Sequence, residues 1–255
     1  MKRYITLTIA ILTAFSAQGT STAHLKANYA QMGDSAYRAG NYEEAAAIYE
    51  EVISEGFTSA DLYYNLGNTH YRLGNHGPAI LNYERALRLK PGMKDAQENL
   101  ALANSKTVDR ITELPRFFLV RWYENLCTHI TPHSWRVVWL LLFALVSAAV
   151  ATFLLTPSLA ARKGSFAAII AASVLLLLAS ATLLSSTRRY NAHSEAIVMQ
   201  ESMAVKGSPE QQSVDKLILH EGTKVTITES LAGWEKITLA DGTTGWCETQ
   251  NIERI

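Results

Sequence analysis

The chain has 255 residues and equal numbers of basic and acidic side chains, 23 Lys plus Arg and 23 Asp plus Glu. There are nine basic and twelve acidic residues between positions 24 and 114, and five basic and ten acidic between positions 190 and 255. Binding to nucleic-acid phosphates needs a surplus of Lys and Arg, so these acidic segments argue against a nucleic-acid partner. Two cysteines, Cys127 and Cys247, are too few for a disulfide framework.

The first 23 residues have the pattern of a secretory signal peptide. Lys2 and Arg3 form its basic region, and the apolar run from Tyr4 to Phe15 is too short to cross a membrane. Small residues follow at Ser21 and Ala23, where a cleavage site needs them. The pattern predicts export of the rest of the chain, and an uncleaved signal anchor, the alternative, would have the same consequence.

A period of 34 residues runs through the next segment. Small residues at Gly33 and Gly67 allow close helix approach, Pro91 ends the last helix of the second unit, and Asn41 and Asn75 are placed to cap second helices. Such a period predicts a stacked helix-turn-helix array. The residue pairs that share it are Gly33 and Gly67, Tyr37 and Tyr71, Gly40 and Gly74, Asn41 and Asn75, Ala45 and Ala79, and Tyr49 and Tyr83.

This segment resembles the tetratricopeptide repeat family. The second unit, ADLYYNLGNTHYRLGNHGPAILNYERALRLKP, follows the family pattern nearly throughout, and a third unit starting at Lys94 supplies only one helix, expected to act as a cap. The resemblance implies an all-α domain at residues 24–114 whose first helices line a peptide-binding groove. The residues that the resemblance assigns to this groove are Tyr37, Arg38, Tyr64, Asn68, Tyr71 and Arg72.

Arg38 and Arg72 hold equivalent positions in successive repeats. Two guanidinium groups on one wall could hold a carboxylate or an acidic peptide segment. The alternative is that both are solvated surface arginines.

Residues 115–134 are predicted to form an interfacial helix and linker. The sequence RFFLVRWYENLCTHITPHSW is rich in aromatic residues, which is typical of segments at a membrane surface. The helix is expected from Pro115 to about Ile130, and the alternative is a continuation of the repeats that packs on the helical domain. Cys127, His129 and His133 could bind zinc or copper, but a fourth ligand is missing nearby and Pro132 interrupts the pattern, so no metal site or cofactor is predicted.

Two long apolar runs predict a membrane hairpin. The run from Val137 to Thr156 carries no charge over twenty residues, enough to cross a hydrocarbon core of about 30 Å, and a second run extends from Ser165 to Thr187. The predicted transmembrane helices are residues 135–156 and 165–187, joined by a loop at 157–164.

Two signals in the sequence disagree about the orientation of the membrane hairpin. Counting positive charges would place the loop outside the cytoplasm, whereas the signal peptide places the loop inside and both soluble segments outside. The signal peptide is the stronger argument, because export of the N-terminal segment fixes the direction of the first span. The charges concerned are Arg162 and Lys163 in the loop and Arg121, Arg136, Arg188 and Arg189 on the other flanks.

Short alternating apolar and polar runs after Ala192 predict an all-β domain. Val225 and Ile227 alternate with polar residues, and Asp241-Gly242 lies between two such runs, which indicates a hairpin. This segment resembles bacterial SH3-like domains, which implies a small barrel over residues 188–255. The matching features are Glu221-Gly222-Thr223, Gly233-Trp234, Asp241-Gly242, Gly245-Trp246, Ile252 and Ile255.

Two tryptophans of this domain have different expected roles. Trp234 is a candidate for a ligand surface, with half-buried barrel structure as the alternative. Trp246 is expected in the core, and Cys247 is expected to act as a small buried apolar residue.

A signal peptide, tetratricopeptide repeats, a membrane hairpin and an SH3-like tail, in this order, resemble the BatE-type proteins of bacterial aerotolerance operons. The resemblance implies a role in envelope or oxidative stress tolerance. Together with the signal peptide and the apolar runs, it predicts a non-enzymatic scaffold in the inner membrane, with both soluble domains in the periplasm. Its implied partners are membrane lipid, operon proteins with von Willebrand A domains and, indirectly, a MoxR-type ATPase. The alternative is a receptor that binds peptidoglycan through its tail and recruits a cell-wall enzyme through its repeats.

Overall fold

The computed structural model describes residues 31–112, 114–115, 117–192 and 194–255, so the predicted signal peptide lies outside the described residues. Its helices are α1 (31–39), α2 (Tyr42–Ser54), α3 (Ala60–Leu73), α4 (His76–Leu89), α5 (Lys94–Asn104), α6 (Phe118–His129), α7 (Pro132–Leu155) and α8 (Leu159–Ala192). Its strands are β1 (Glu195–Val198), β2 (Ser202–Lys206), β3 (Asp215–His220), β4 (Lys224–Leu231), β5 (Trp234–Thr238), β6 (Thr244–Glu248) and β7 (Ile252–Arg254).

Helices α1 to α5 form the repeat array. The chain leaves α1 and α3 through Gly40 and Gly74, which have φ of +84° and +82°, a backbone conformation that favours glycine. The Cβ atoms that Gly33 and Gly67 lack would lie 2.5 and 2.7 Å from ring atoms of tyrosines on α2 and α4. The predicted close approach at these glycines is therefore confirmed.

The predicted capping by asparagine is wrong in part. Asn41 and Asn75 do occupy the positions before α2 and α4, but neither side chain bonds to a backbone amide within the described residues. The Asn41 amide instead donates to Glu44 Oε2 at 3.2 Å. In α3, Ser59 Oγ does accept a bond from the backbone amide of Leu62 at 3.1 Å.

Helices α7 and α8 are long and apolar enough to cross a membrane. They pack against each other along small or polar residues of α8 spaced seven apart, and Trp139 Nε1 donates to Ser180 Oγ at 2.9 Å. Helix α8 begins at Leu159, so residues 159–164, which the sequence suggested as loop, are helical. The buried residues with this spacing are Ser165, Ala172 and Ala179, and the next one, Ser186, contacts α6.

The C-terminal strands form one antiparallel sheet in the order β3-β2-β6-β5-β4-β1-β7. The predicted hairpin is confirmed, because Gly242 has a φ of +86° and Asp241 Oδ1 accepts a bond from the Thr243 amide at 2.8 Å. The predicted closed barrel is not seen: among the described strands, β3 and β7 are unpaired edges. Ile111, from the linker after α5, packs against the core of the sheet, so a segment outside the sheet covers part of this core.

Candidate functional site

The two repeats share a hydrogen-bonded triad that joins consecutive helices. In the first, Asp34 Oδ1 accepts bonds from Tyr49 Oη at 2.6 Å and from Asn65 Nδ2 at 3.0 Å. The second triad lies 34 residues later along the chain, and there Asn68 Oδ1 accepts bonds from Tyr83 Oη and Asn99 Nδ2, each at 2.8 Å. Burial is the main cause that raises the pKa of both tyrosines. The triads fix the first helices of the array beside one another.

The predicted groove residues therefore divide into two kinds. Asn68 uses its Oδ1 inside the array, and Tyr64 Oη accepts a bond from Asn99 Nδ2 at 3.3 Å. Tyr71 is half-buried, with its ring 5.7 Å from that of His76. These three predicted groove residues are thus engaged in contacts within the array.

Tyr37, Arg38 and Arg72 are the remaining three predicted groove residues. Both arginines are exposed, and a hydrogen bond with Tyr37 raises the pKa of Arg72. The Tyr37 ring in turn meets the Tyr42 ring edge-on, with centroids 5.2 Å apart. The structure thus presents a tyrosine-lined surface with permanently charged guanidinium groups, which is suited to a carboxylate or an acidic peptide.

Trp234 lies in a separate cleft on the β-domain. The cleft has a volume of about 240 Å³ and combines an aromatic ring with amide and charged side chains. Trp234 is half-buried, so it contributes to both structure and surface. The lining residues are Gln200, Ser202, Met203, Ala204, Lys206, Trp234, Glu248 and Asn251.

Trp246 is buried as expected, but it lies outside the main core cluster of the β-domain. The alternation of side chains along β6 places it on the opposite face from Gly245 and Cys247. Lys206 and Lys236 are its cross-strand neighbours, and Lys236 Nζ lies 5.8 Å from the ring centroid. Lysine side chains therefore cover Trp246. Cys247 is in the core as expected, and burial raises its pKa to about 12.

The β-domain docks on the outer side of α4, a contact that sequence reasoning missed. A buried cluster, here called the junction core, combines residues of α4 and α5 with Ile197 of β1 and Ile255. The hydrophobic effect over this cluster holds the two soluble parts together. Its members are Ala79, Ile80, Leu81, Tyr83, Ala103, Ile197 and Ile255.

Polar contacts run along α4 around the junction core. Glu221 Oε1 accepts a bond from the Gly77 amide at 3.0 Å, so the β-domain caps the helix that Asn75 leaves uncapped. Arg85 donates to Glu253 Oε1 and to the Arg254 carbonyl, each at 2.8 Å. An arginine one turn later, Arg88, donates to the backbone oxygen of Ile255.

Lys224 links the two parts by a further ion pair. Its Nζ lies 3.1 Å from Glu84 Oε2 on α4 and 3.0 Å from Glu195 Oε2 on β1. Burial opposes the charged form, but the two carboxylates outweigh it and raise the pKa of Lys224. The cation is therefore stabilised at the junction.

The linker after α5 also binds the β-domain. Asp109 accepts bonds from the His220 amide at 2.7 Å and from Thr223 Oγ1 at 2.6 Å, and its second oxygen lies 2.8 Å from His220 Nδ1. Burial opposes ionisation, but these bonds lower the pKa of Asp109. Further along, the Leu114 amide donates to the Ala240 carbonyl at 3.2 Å. The β-domain is thus bound by a segment that precedes α7 and α8 in the chain.

The structure gives no support for a metal site at Cys127, His129 and His133. Within the described residues no group of three His, Cys, Asp or Glu side chains could hold a metal ion, and the side chain of His129 lies outside them. Cys127 is buried between α6 and α8, where its carbonyl accepts a bond from Ser186 Oγ at 3.3 Å.

Comparison with known families agrees with the geometry of the array. A family model described as Tetratricopeptide repeat matches residues 31–94 and, overlapping them, residues 64–104. Tetratricopeptide repeats are therefore present, and they indicate a role in protein–protein interaction. No curated protein matches the chain.

Proposed function

We propose that the chain is a membrane-anchored, non-catalytic scaffold that binds an acidic segment of a partner protein in its repeat groove. The observation that carries the proposal is the difference between the two sides of the array. The outer side of α4 is buried under the β-domain, whereas Arg38 and Arg72 in the predicted groove are exposed, with Arg72 bonded to Tyr37.

The contacts of α4 and the linker with the β-domain support placing both soluble parts on one side of the membrane. An antiparallel hairpin would return the chain to the side from which it came, and the bonds at Glu221, Arg85 and Asp109 support this arrangement. With the predicted signal peptide, that side is the periplasm of a bacterial inner membrane. The similarity to BatE-type proteins extends the proposal to an aerotolerance complex with von Willebrand A domain proteins and, indirectly, a MoxR-type ATPase.

The groove is tested with the double substitution Arg38→Ala and Arg72→Ala in the full chain. Partners are crosslinked in membranes of the source organism and identified after purification. Because charge-assisted bonds are worth about 1.5–3 kcal/mol each, capture should fall by about tenfold or more per arginine. The matched control is Arg110→Ala, an exposed arginine of the linker. Unchanged capture by a folded double variant would show that both arginines are only solvated surface.

The Trp234 cleft favours a second candidate function, binding of peptidoglycan. An aromatic ring beside Asn251, Gln200 and Glu248 offers both a stacking face and hydrogen bonds to a glycan or its peptide. The full chain in detergent should sediment with purified peptidoglycan, and Trp234→Ala should abolish this. The control is Leu231→Ala, because Leu231 is exposed at the end of β4, next to the turn that leads to Trp234. A Trp234→Ala protein that still sediments would remove this candidate.

A further inference from the structure

Helix α6 has one face held by the second apolar helix. Tyr123 Oη donates to Ser185 Oγ at 3.1 Å, and one turn later the Cys127 carbonyl accepts a bond from Ser186 Oγ at 3.3 Å. Both serines lie just before Arg188, where the apolar part of α8 ends. Helix α6 therefore lies beside α8 at the end of its apolar stretch.

The flank of α6 next to this contact is apolar and open. Trp122 is 61 % exposed and Leu119 is 52 % exposed. An α-helix turns by about 100° per residue. Viewed down the axis of α6, Trp122 therefore lies about 100° and Leu119 about 40° from Tyr123 in one direction of rotation. Arg121 lies about 160° from Tyr123 in the other direction. Among the described elements, α8 is the one with substantial contacts to α6. The flank with Trp122 and Leu119 and the side with Arg121 thus lie on roughly opposite sides of α6, to either side of the face that contacts α8.

The segments that precede and follow α6 in the chain also place it at the end of the apolar hairpin. Helix α7, the first apolar helix, starts at Pro132, three residues after α6 ends at His129. On the other side, Leu114 is bound to the β-domain and lies four residues before Phe118, a distance of at most about 14 Å along an extended chain. Helix α6 therefore lies between the apolar hairpin and the soluble part.

We propose that α6 lies in the lipid–water interface of the bilayer, with Trp122 and Leu119 among the lipids and Arg121 on the aqueous side. Its partner is the boundary between headgroups and acyl chains, which suits tryptophan and short amphipathic helices. Together, α6 and α8 hold the repeat array and the β-domain close to the membrane surface. This inference rests on the proposed membrane anchoring of α7 and α8.

Spin-label accessibility tests the inference in the full chain reconstituted into vesicles of phosphatidylethanolamine and phosphatidylglycerol. Nitroxides are attached at Trp122→Cys and, as a second site on the same flank, at Leu119→Cys. Arg121→Cys reports the opposite side, Leu141→Cys the middle of α7 and Val214→Cys an exposed position of the β-domain. Native Cys127 and Cys247 are buried, and burial raises the pKa of Cys247 to about 12, so wild-type protein gives the labelling background.

Collision with oxygen, which concentrates in lipid, is compared with collision with a water-soluble nickel chelate. Labels at 119, 122 and 141 should favour oxygen, with 141 deepest, whereas labels at 121 and 214 should favour nickel. If 141 favours oxygen but 119 and 122 favour nickel, the inference is wrong and the anchoring stands. Labels at 119 and 122 that are shielded from both reagents would mean that protein covers this flank, which also overturns the inference. If 141 favours nickel, the anchoring itself fails.

Discussion

The two repeats are built on the same frame but face different surroundings. Positions that pack inside a repeat carry the same residue type in both, as Gly33 and Gly67 or Tyr49 and Tyr83 show. The outward positions of α2 and α4 differ. Pairs of residues at these positions, first repeat before second, are Ala47 and Leu81, Glu51 and Arg85, and Ser54 and Arg88.

This difference coincides with the contact to the β-domain. Leu81 belongs to the junction core and Arg85 binds Glu253 of β7, whereas their counterparts Ala47 and Glu51 are exposed. A repeat that ends an array needs a cover for its apolar side. Here α5 and the β-domain together supply it, which explains how an array of two full repeats can be stable.

The largest effect is expected from Ile80→Ala. Ile80 is almost fully buried in the junction core, so the loss should be about 2–5 kcal/mol of unfolding free energy. Leu89→Ala, at the exposed end of the same helix, is the matched control. Denaturant unfolding of the full chain in nanodiscs measures both. Equal losses of unfolding free energy in the two variants would contradict the prediction, because burial of Ile80 against the β-domain would then add nothing to the stability of α4.

Gly33→Ala and Gly67→Ala test what the repeats share. Each new methyl group would overlap a tyrosine ring, Tyr49 or Tyr83, so both changes should destabilise by a similar amount, about 1–3 kcal/mol. Gly92→Ala is the control, because no described atom lies within 4 Å of the added methyl. The measurement is again denaturant unfolding, and a tolerated change in one repeat alone would show that the frames differ.

Arg85→Ala sharpens the comparison at the outward face. The lost bonds to Glu253 and to the Arg254 carbonyl are partly exposed, so we expect about 1 kcal/mol. Glu51→Ala, at the equivalent position of the first repeat, should change stability by less than about 0.5 kcal/mol. Matching shifts in the thermal unfolding of the two variants would contradict the prediction.

The smallest effect concerns the start of α4. Glu221→Ala removes the bond to the Gly77 amide and should cost about 0.5–1 kcal/mol, whereas Asn75→Ala should cost almost nothing. Ser59→Ala, which removes an observed cap from α3, provides the reference. Hydrogen exchange of the Gly77 amide reports the difference directly, and faster exchange in Asn75→Ala than in Glu221→Ala would reverse the assignment.

The sequence by itself determined the periodic parts of this protein. The 34-residue period, the helix ends at Gly40 and Gly74, the two apolar helices and the turn at Gly242 all depend on residues close in sequence, whose conformational preferences act locally. Exposure of Arg38 and Arg72 also follows from the period, whereas what the groove binds stays a prediction. The departures of α4 from α2 were a readable signal of an interface.

Only the tertiary structure decided where the β-domain rests and how its sheet ends. Asp109 and His220 are 111 residues apart, and Gly77 and Glu221 are 144 apart, so no local pattern links them. The same holds for Trp246, whose burial by Lys206 and Lys236 depends on strand pairing rather than on its own apolar character. The contacts of Asp109 and Glu221, unlike those of Trp246, also join residues that lie on opposite sides of the two apolar helices in the sequence.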